Sequence, residues 1–328
     1  MVLMNENNNL KTFNDADIPS MGEYLLGQLE KLDQRLYGPL YNPEYKRDID
    51  FREDISIYDT ASSYQKIFYR ATNGVNNAKT AFTASNVNAN PETGFEYYKV
   101  TNELHRIERA ISYSLFDLER SKLLNKPIDS IMYDAMQMAH LMEVDRAVYV
   151  GLPEKKTTGL FNNADAIASE KQLSVKWETA SNVDDIVKDI NNMFFESWKR
   201  TAFNVLPTKM IMPPSLYSFL VSRKVSEAGN VSVLNYVREN SIVKNKLNVF
   251  PEIVPSKWLE KGIDGAIENR IIVYEKNPMY IRLPYIPLQR FGMIETTNNA
   301  LKSNFVGVIG NMEVVYPEIL NYFKVKTV

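Results

Sequence analysis

The chain has 328 residues, with 38 Lys plus Arg against 40 Asp plus Glu, a net charge of −2 and no cysteine. The near-balance of charge gives no electrostatic reason for tight nucleic-acid binding, and the missing thiols exclude disulfides, thiolate metal sites and cysteine nucleophiles. A hydrophobic fraction of 45% and a charged fraction of 24% suit a folded chain with one large domain or two medium ones.

In chain order, Met1 to Lys11 is polar and lacks the apolar centre of a secretion signal. No stretch reaches the roughly 18 uninterrupted apolar residues of a membrane span, so synthesis and folding in a cytoplasm, without a membrane partner, are expected. Ser20-Met21-Gly22-Glu23 fits a capping box. Leu25, Leu29, Leu32 and Leu36 follow at helical spacing until Gly38-Pro39 ends the helix. That stripe needs cover, from the chain's own core or from a neighbouring subunit. Residues 41–60 are charged and read as a connection.

Two β-like segments follow. Tyr64–Ala71 alternates Ile67 and Tyr69 against Lys66 and Arg70. The second runs from Phe95 to about Leu115, with Ile107, Ile111, Tyr113 and Leu115 on a period of two. The Asn-, Thr- and Gly-rich stretch Thr72–Gly94 between them is too long for a tight turn and too polar for a core. It reads as a surface loop or as the tip of a two-stranded arm. An isolated ribbon of that kind is marginal in water and expects a partner surface.

Asp117–Leu124 predicts a short charged helix. A helix of about 22 residues, roughly 33 Å long, is expected next, from Asp129 to Gly151. Its apolar stripe is read as Ile131, Ala135, Met138 and Met142, widened by Met132, Met136 and Ala139 and extended by Ala147 and Val148. Asn182–Arg200 is a strong helix, with Asn182 as cap, Asp184 and Asp185 in its first turn, and Ile186, Ile190, Met193, Phe194 and Trp198 as its stripe. Lys209–Met212 is a strand, and Pro213-Pro214 opens a helix with Leu216 and Leu220. Residues 230–240 look helical, and 247–254 extended. Asn269–Tyr274 is a buried strand. Met279–Pro284, Gly292–Thr297, Phe305–Tyr316 and Tyr322–Val325 are strands, so the class is α+β.

Chemistry-bearing motifs are missing. His105 and His140 are the two histidines, neither beside a G-x-S-x-G turn or a ligand-spaced partner, and both read as structural. No phosphate-cradling glycine motif occurs. Asp117/Glu119, Glu143/Asp145 and Asp184/Asp185 are too close in sequence to face one another on a helix, and read as solvated charge. No catalytic residue, metal or cofactor is expected.

Four stretches, in order, resemble the major capsid proteins of tailed bacteriophages of the Hong Kong 97 type. They are Tyr113-Ser-Leu-Phe-Asp-Leu-Glu-Arg120; the long helix to Asp145 and Gly151 with Gly159-Leu-Phe-Asn162; Leu206-Pro-Thr-Lys-Met-Ile-Met-Pro-Pro-Ser-Leu-Tyr217; and Tyr274–Pro284 with Val314-Val-Tyr-Pro-Glu-Ile319. Together they span roughly residues 55–325.

The resemblance implies an N-terminal arm at 1–45 and an extended hairpin loop with its flanks at 46–120. It implies a peripheral domain at 121–202 and 301–328, built on the long spine helix, and an axial domain at 203–300. The function implied is self-assembly through hexamers and pentamers into an icosahedral head enclosing double-stranded DNA. Scaffolding, portal and decoration proteins are implied as possible partners, with only weak, non-specific contact to the DNA. Leu25, Leu29, Leu32, Tyr69, Arg70, Lys79, Phe95, Tyr97 and Lys99 are the subunit-interface candidates. Lys79 is the one lysine of the loop tip, and no cross-link is expected of it. Alternatives are an encapsulin-type compartment shell, a phage tail-tube or sheath protein, and a carboxylate-based hydrolase.

Overall fold

The structure is a computed structural model that describes residues 2–4, 10–12, 41–72, 92–123, 128–168, 170–173, 176–177, 182–226, 229–263, 265–267, 269–297 and 299–325. The expected helix carrying Leu25, Leu29 and Leu32, and the loop tip with Lys79, lie outside these residues. Contacts divide the chain into Met1–Asn42 and Pro43–Val328. In the first unit β1 (Val2–Met4) and β2 (Leu10–Thr12) pair antiparallel.

The second unit holds two sheets. Five strands, β6 (Lys171–Gln172), β7 (Lys209–Met212), β10 (Glu252–Pro255), β11 (Arg270–Tyr274) and β15 (Asn321–Lys324), lie in the order β10-β7-β11-β15-β6. Both faces of this sheet are covered, which is why Lys209-Met-Ile-Met212 is an apolar run rather than an alternating one. Ile211, Ile272, Tyr274 and Tyr322 face a first core, shared with the C-terminal end of α3 (Ile128–Tyr149). Met210, Met212, Ile271, Val273 and Phe323 face a second core.

The second core is roofed by helices α5 (Val183–Arg200), α6 (Pro214–Ser222), α7 (Val233–Glu239) and α8 (Ile242–Leu247). The stripe Ile186, Ile190, Met193 and Phe194 of α5 is fully buried there, as its spacing predicts. Asn182 occupies the N-cap position but makes no side-chain cap bond. Helix α5 shares its core with β7 and α6–α8, whereas the C-terminal end of α3 lines the first core. Helix α8, not anticipated, starts where the Ser241 hydroxyl accepts from the Lys244 amide, a polar cap that needs no apolar stripe.

The second sheet has the order β14-β12-β13-β5-β4, with β3 (Asp50–Arg52) added in parallel to β12. Its strands are β4 (Ala61–Thr72), β5 (Glu92–Ser114), β12 (Ile281–Thr297), β13 (Ala300–Gly310) and β14 (Glu313–Val314). The expected break at Pro284 does not occur. β12 runs through Pro284 and Pro287 because it changes partner there, from β3 and β14 to β13, with a register shift between Ile286 and Gln289. Such a bulge absorbs a residue without an amide to donate. Leu115 is not on the strand; it opens α2 (Leu115–Leu123) and is exposed.

Helix α3 has the predicted extent and part of the predicted stripe. Met136, Ala147 and Val148 are buried as expected and are joined by His140 and Val144, whereas Ile131 and Met132 are exposed. The apolar residues of its first turns have no core to face. After α3 the chain folds back: the Leu160 amide donates to Val148 O and the Phe161 amide to Tyr149 O. A Cβ on Gly159 would stand 2.4 Å from the Tyr149 carbonyl carbon, so only glycine allows this approach.

Candidate assembly surfaces

Strand β5 divides its partners along its length. Residues 104–114 pair with β13, and residues 92–103 pair with β4. The β4–β5 ribbon therefore has two strands where the sheet has more. Side chains alternate faces along each strand. One face carries Phe95, Tyr97 and Lys99 of β5, with Ile67 opposite Tyr97 and Tyr69 opposite Phe95. The Phe95 and Tyr97 rings meet edge to face at 5.1 Å. The other face carries Phe68, Tyr98 and Glu96.

Phe95, Tyr97 and Tyr98 are 60%, 64% and 60% exposed. A two-stranded ribbon with aromatic residues on both wet faces is not stable on its own terms. Of the predicted interface residues, the structure thus brings Phe95, Tyr97 and Lys99 onto one exposed face. Tyr69 and Arg70 lie in β4, paired with Phe95 and Gly94 of β5. Leu25, Leu29, Leu32 and Lys79 are outside the described residues.

The root of the ribbon is held by a carboxylate that sequence reading passed over. Glu313, fully buried, accepts from Ser62 at the start of β4 and from Arg282 Nε of β12 at 2.7 Å, and stands 3.4 Å from Arg52 of β3. Four strands are tied together through one side chain. Charge-assisted bonds of this kind are strong where water is excluded.

A second buried cluster overturns the reading of 41–60 as a mere connection. Helix α1 (Tyr45–Asp48) enters the first core, with Tyr45 and Ile49 buried. Asp48, sealed from solvent, is forked by Arg47 at 2.8 and 2.9 Å and accepts from the Tyr149 hydroxyl. Lys209 Nζ lies 3.2 Å from Asp48 and donates to Arg47 O at 2.6 Å and Glu252 at 2.8 Å. The Tyr274 hydroxyl donates to Asp48 O. Burial, and then the Asp48 charge, push the Tyr149 and Tyr274 hydroxyls far above the usual phenol range.

Asp145, expected as solvated charge, is likewise buried. It accepts from the Glu44 amide at 3.1 Å and Trp258 Nε1 at 2.9 Å, and pairs with Lys257 at 3.0 Å. A local signal existed: each of these carboxylates sits among aromatic and β-branched residues.

Among the described residues no group of three or more His, Cys, Asp or Glu could hold a metal ion. His140 is buried, its Nε2 3.0 Å from the Tyr285 hydroxyl, and burial lowers its pKa. His105 is half-buried on β5.

The major capsid protein family model matches residues 79–324. Among curated proteins none matches the sequence. Solved structures do. A chain from the capsid of Myoviridae phage XM1 superposes with a TM-score of 0.71 at 14% identity, over 91% of this chain and 97% of that one. A chain from Microbacterium phage Oxtober96 gives 0.58 at 12% identity, over 94% and 98%. A capsid chain of a native GTA particle gives 0.56 at 12% identity, over 96% and 100%. The α+β fold is thus the Hong Kong 97-type capsid fold, and with the family model covering most of its length the chain belongs to the major capsid protein family of tailed bacteriophages, as a protein of the phage head shell.

Proposed function

We propose that the chain closes, through hexamers and pentamers, into an icosahedral head around double-stranded DNA, and that its activity is assembly rather than catalysis. The observation that carries this is the β4–β5 ribbon, whose exposed aromatic faces and firm buried root describe an arm made to be covered by another copy. Many modest, identical contacts add up in a closed shell. In this reading residues 1–45 form an arm that includes the Leu25, Leu29 and Leu32 stripe. Residues 46–120 form the extended loop with its flanks, and α3 with the C-terminal strands the peripheral domain. Residues 203–300 form the axial domain, which α5 joins through its core.

A net charge of −2 suits a wall that retains DNA without gripping it. Scaffolding, portal and decoration proteins are the further partners of such a shell, and the host cytoplasm is where it would be built. Among the described residues no helix is long and apolar enough to cross a membrane.

Expression of the chain, alone and with a scaffolding protein, followed by negative-stain imaging, tests the reading. Closed icosahedral particles support it. Helical tubes, or a monomer under every condition, overturn it. Deleting residues 74–94 should leave a folded body that no longer closes into shells, and normal particles from that deletion remove the arm from the mechanism.

A further inference from the structure

We propose that Arg200, in the pocket between the end of α5 and the segment before β15, binds a carboxylate that its own surroundings do not supply. The inference goes beyond assembly and does not rest on it. Arg200 is the last residue of α5, where the helix dipole favours a cation. Its Nη1 donates to Leu320 O at 3.3 Å and to Asn321 Oδ1 at 2.6 Å. Asn321 is itself buried and fixed, since its Nδ2 donates to Glu318 O and Ile319 O, both at 3.2 Å. The guanidinium is thus held by one corner. Its Nε and Nη2 make no hydrogen bond among the described residues, and neither is sealed from solvent. Together they form the edge that matches the two oxygens of a carboxylate.

Both acceptors of Nη1 are neutral, so this half-buried charge has no counter-ion among the described residues. A charge withdrawn from water expects one. Glu318 stands on the rim of the same pocket but is exposed and makes no ion pair with Arg200. Burial, with Glu318 opposing it in part, pulls the guanidinium below its ordinary pKa.

The pocket holds about 390 Å³. Val205 and Ile319 give it apolar surface, and Tyr280 and Tyr316, edge to face at 5.9 Å, an aromatic wall. Its remaining side is the turn after α5, where Ala202 and Phe203 are both left-handed, at φ 49° and 63°. Two such residues in succession, one of them bulky, are strained. The strain is held by the Val205 amide, which donates to Thr201 Oγ1 at 3.1 Å, and by Phe203, edge-on to Trp198 at 4.9 Å. Backbone strain of this kind is found at ligand clamps. One cation beside one rim carboxylate, with apolar and aromatic walls, selects a monoanion on an apolar carrier over a phosphate. Two sources share that chemistry: a free organic acid, and an acidic side chain of another copy.

Benzoate is the probe, and benzamide, of the same shape without the charge, is its control. Titrations followed by saturation-transfer NMR on the full, unassembled chain should show benzoate bound and benzamide not. Arg200→Gln should weaken benzoate at least about tenfold. Glu318→Gln, which removes the opposing charge at the rim, should tighten it about threefold at low salt. Repeating the titration on assembled shells separates the sources: unchanged binding assigns the site to a free acid, and exclusion of benzoate assigns it to a side chain of a neighbouring copy. A wild-type chain that ignores benzoate, or a folded Arg200→Gln variant that binds it as well as the wild type, overturns the site. If Arg200→Gln does not fold, a Glu318→Gln variant that binds benzoate no more tightly overturns it instead.

Discussion

Lys209 carries its amine where water does not reach, 1% exposed, between a helix from the N-terminal side of the second unit and the central sheet. Removing one partner of a buried ion pair strands the other, so Lys209→Met should cost about 3 kcal/mol, read as a lower urea midpoint of the unassembled chain. Asp48→Asn should be at least as damaging, since Arg47, Lys209 and Tyr149 all converge on that carboxylate. Gly159→Ala forces a methyl into the Tyr149 carbonyl and should cost about 2–3 kcal/mol by overpacking.

His140 gives a pH signature. Burial lowers its pKa below the ordinary 6.5, with Glu143 opposing and Arg109 adding to the shift. Between the lowered value and 6.5 the unfolded chain binds a proton that the folded chain refuses. Stability is therefore complete above 6.5 and falls as the pH drops through that window. His140→Gln should flatten this slope in denaturation curves taken from pH 7 to pH 5.

At the scale of elements, the ladder of β5 makes its own prediction. In the unassembled chain the amides of residues 104–114, with β13 on one side and α3 beneath, should exchange with deuterium slowly. Those of 92–103 should exchange fast until shells form. Equal protection of both halves before assembly would contradict the ribbon's dependence on a partner.

Much of the fold was legible because its signals are local. The stripe of α5, the apolar run of β7, the Pro-Pro start of α6 and the period of two along β5 each follow from a single face meeting a single core. The arm was legible for the opposite reason, as apolar alternation with nothing nearby to cover it. What escaped was long-range. Asp48, Asp145 and Glu313 sit among apolar residues, but most of the partners that hold them lie on strands and helices far away in sequence. The stripe of α3 was only partly legible, because its first turns lie outside the core while His140 lies inside it. The partner change that carries β12 past two prolines is likewise a property of its neighbours.

For the whole molecule, low identity and a shared fold are compatible because most of what defines it is pattern. Apolar residues that alternate or repeat at the right period can be exchanged among themselves with small cost. Gly159 and the buried carboxylates are among the positions least open to exchange. A variant with Glu313→Gln should keep both cores, since neither contains that side chain, yet loosen the ribbon's root. Its expected outcome is a folded protein of lowered melting temperature that yields misshapen or unclosed particles by electron microscopy. Loss of folding instead would assign Glu313 to the body rather than to the arm.

One strand, β5, runs without a break from the sheet beneath α3 to the far part of the arm. Its neighbours change at Leu104, so once another copy covers its far half it becomes a lever with its fulcrum there. In a head of the proposed kind a tilt of the arm would become torque on the body that bears it, and curvature would be shared among copies rather than set by one.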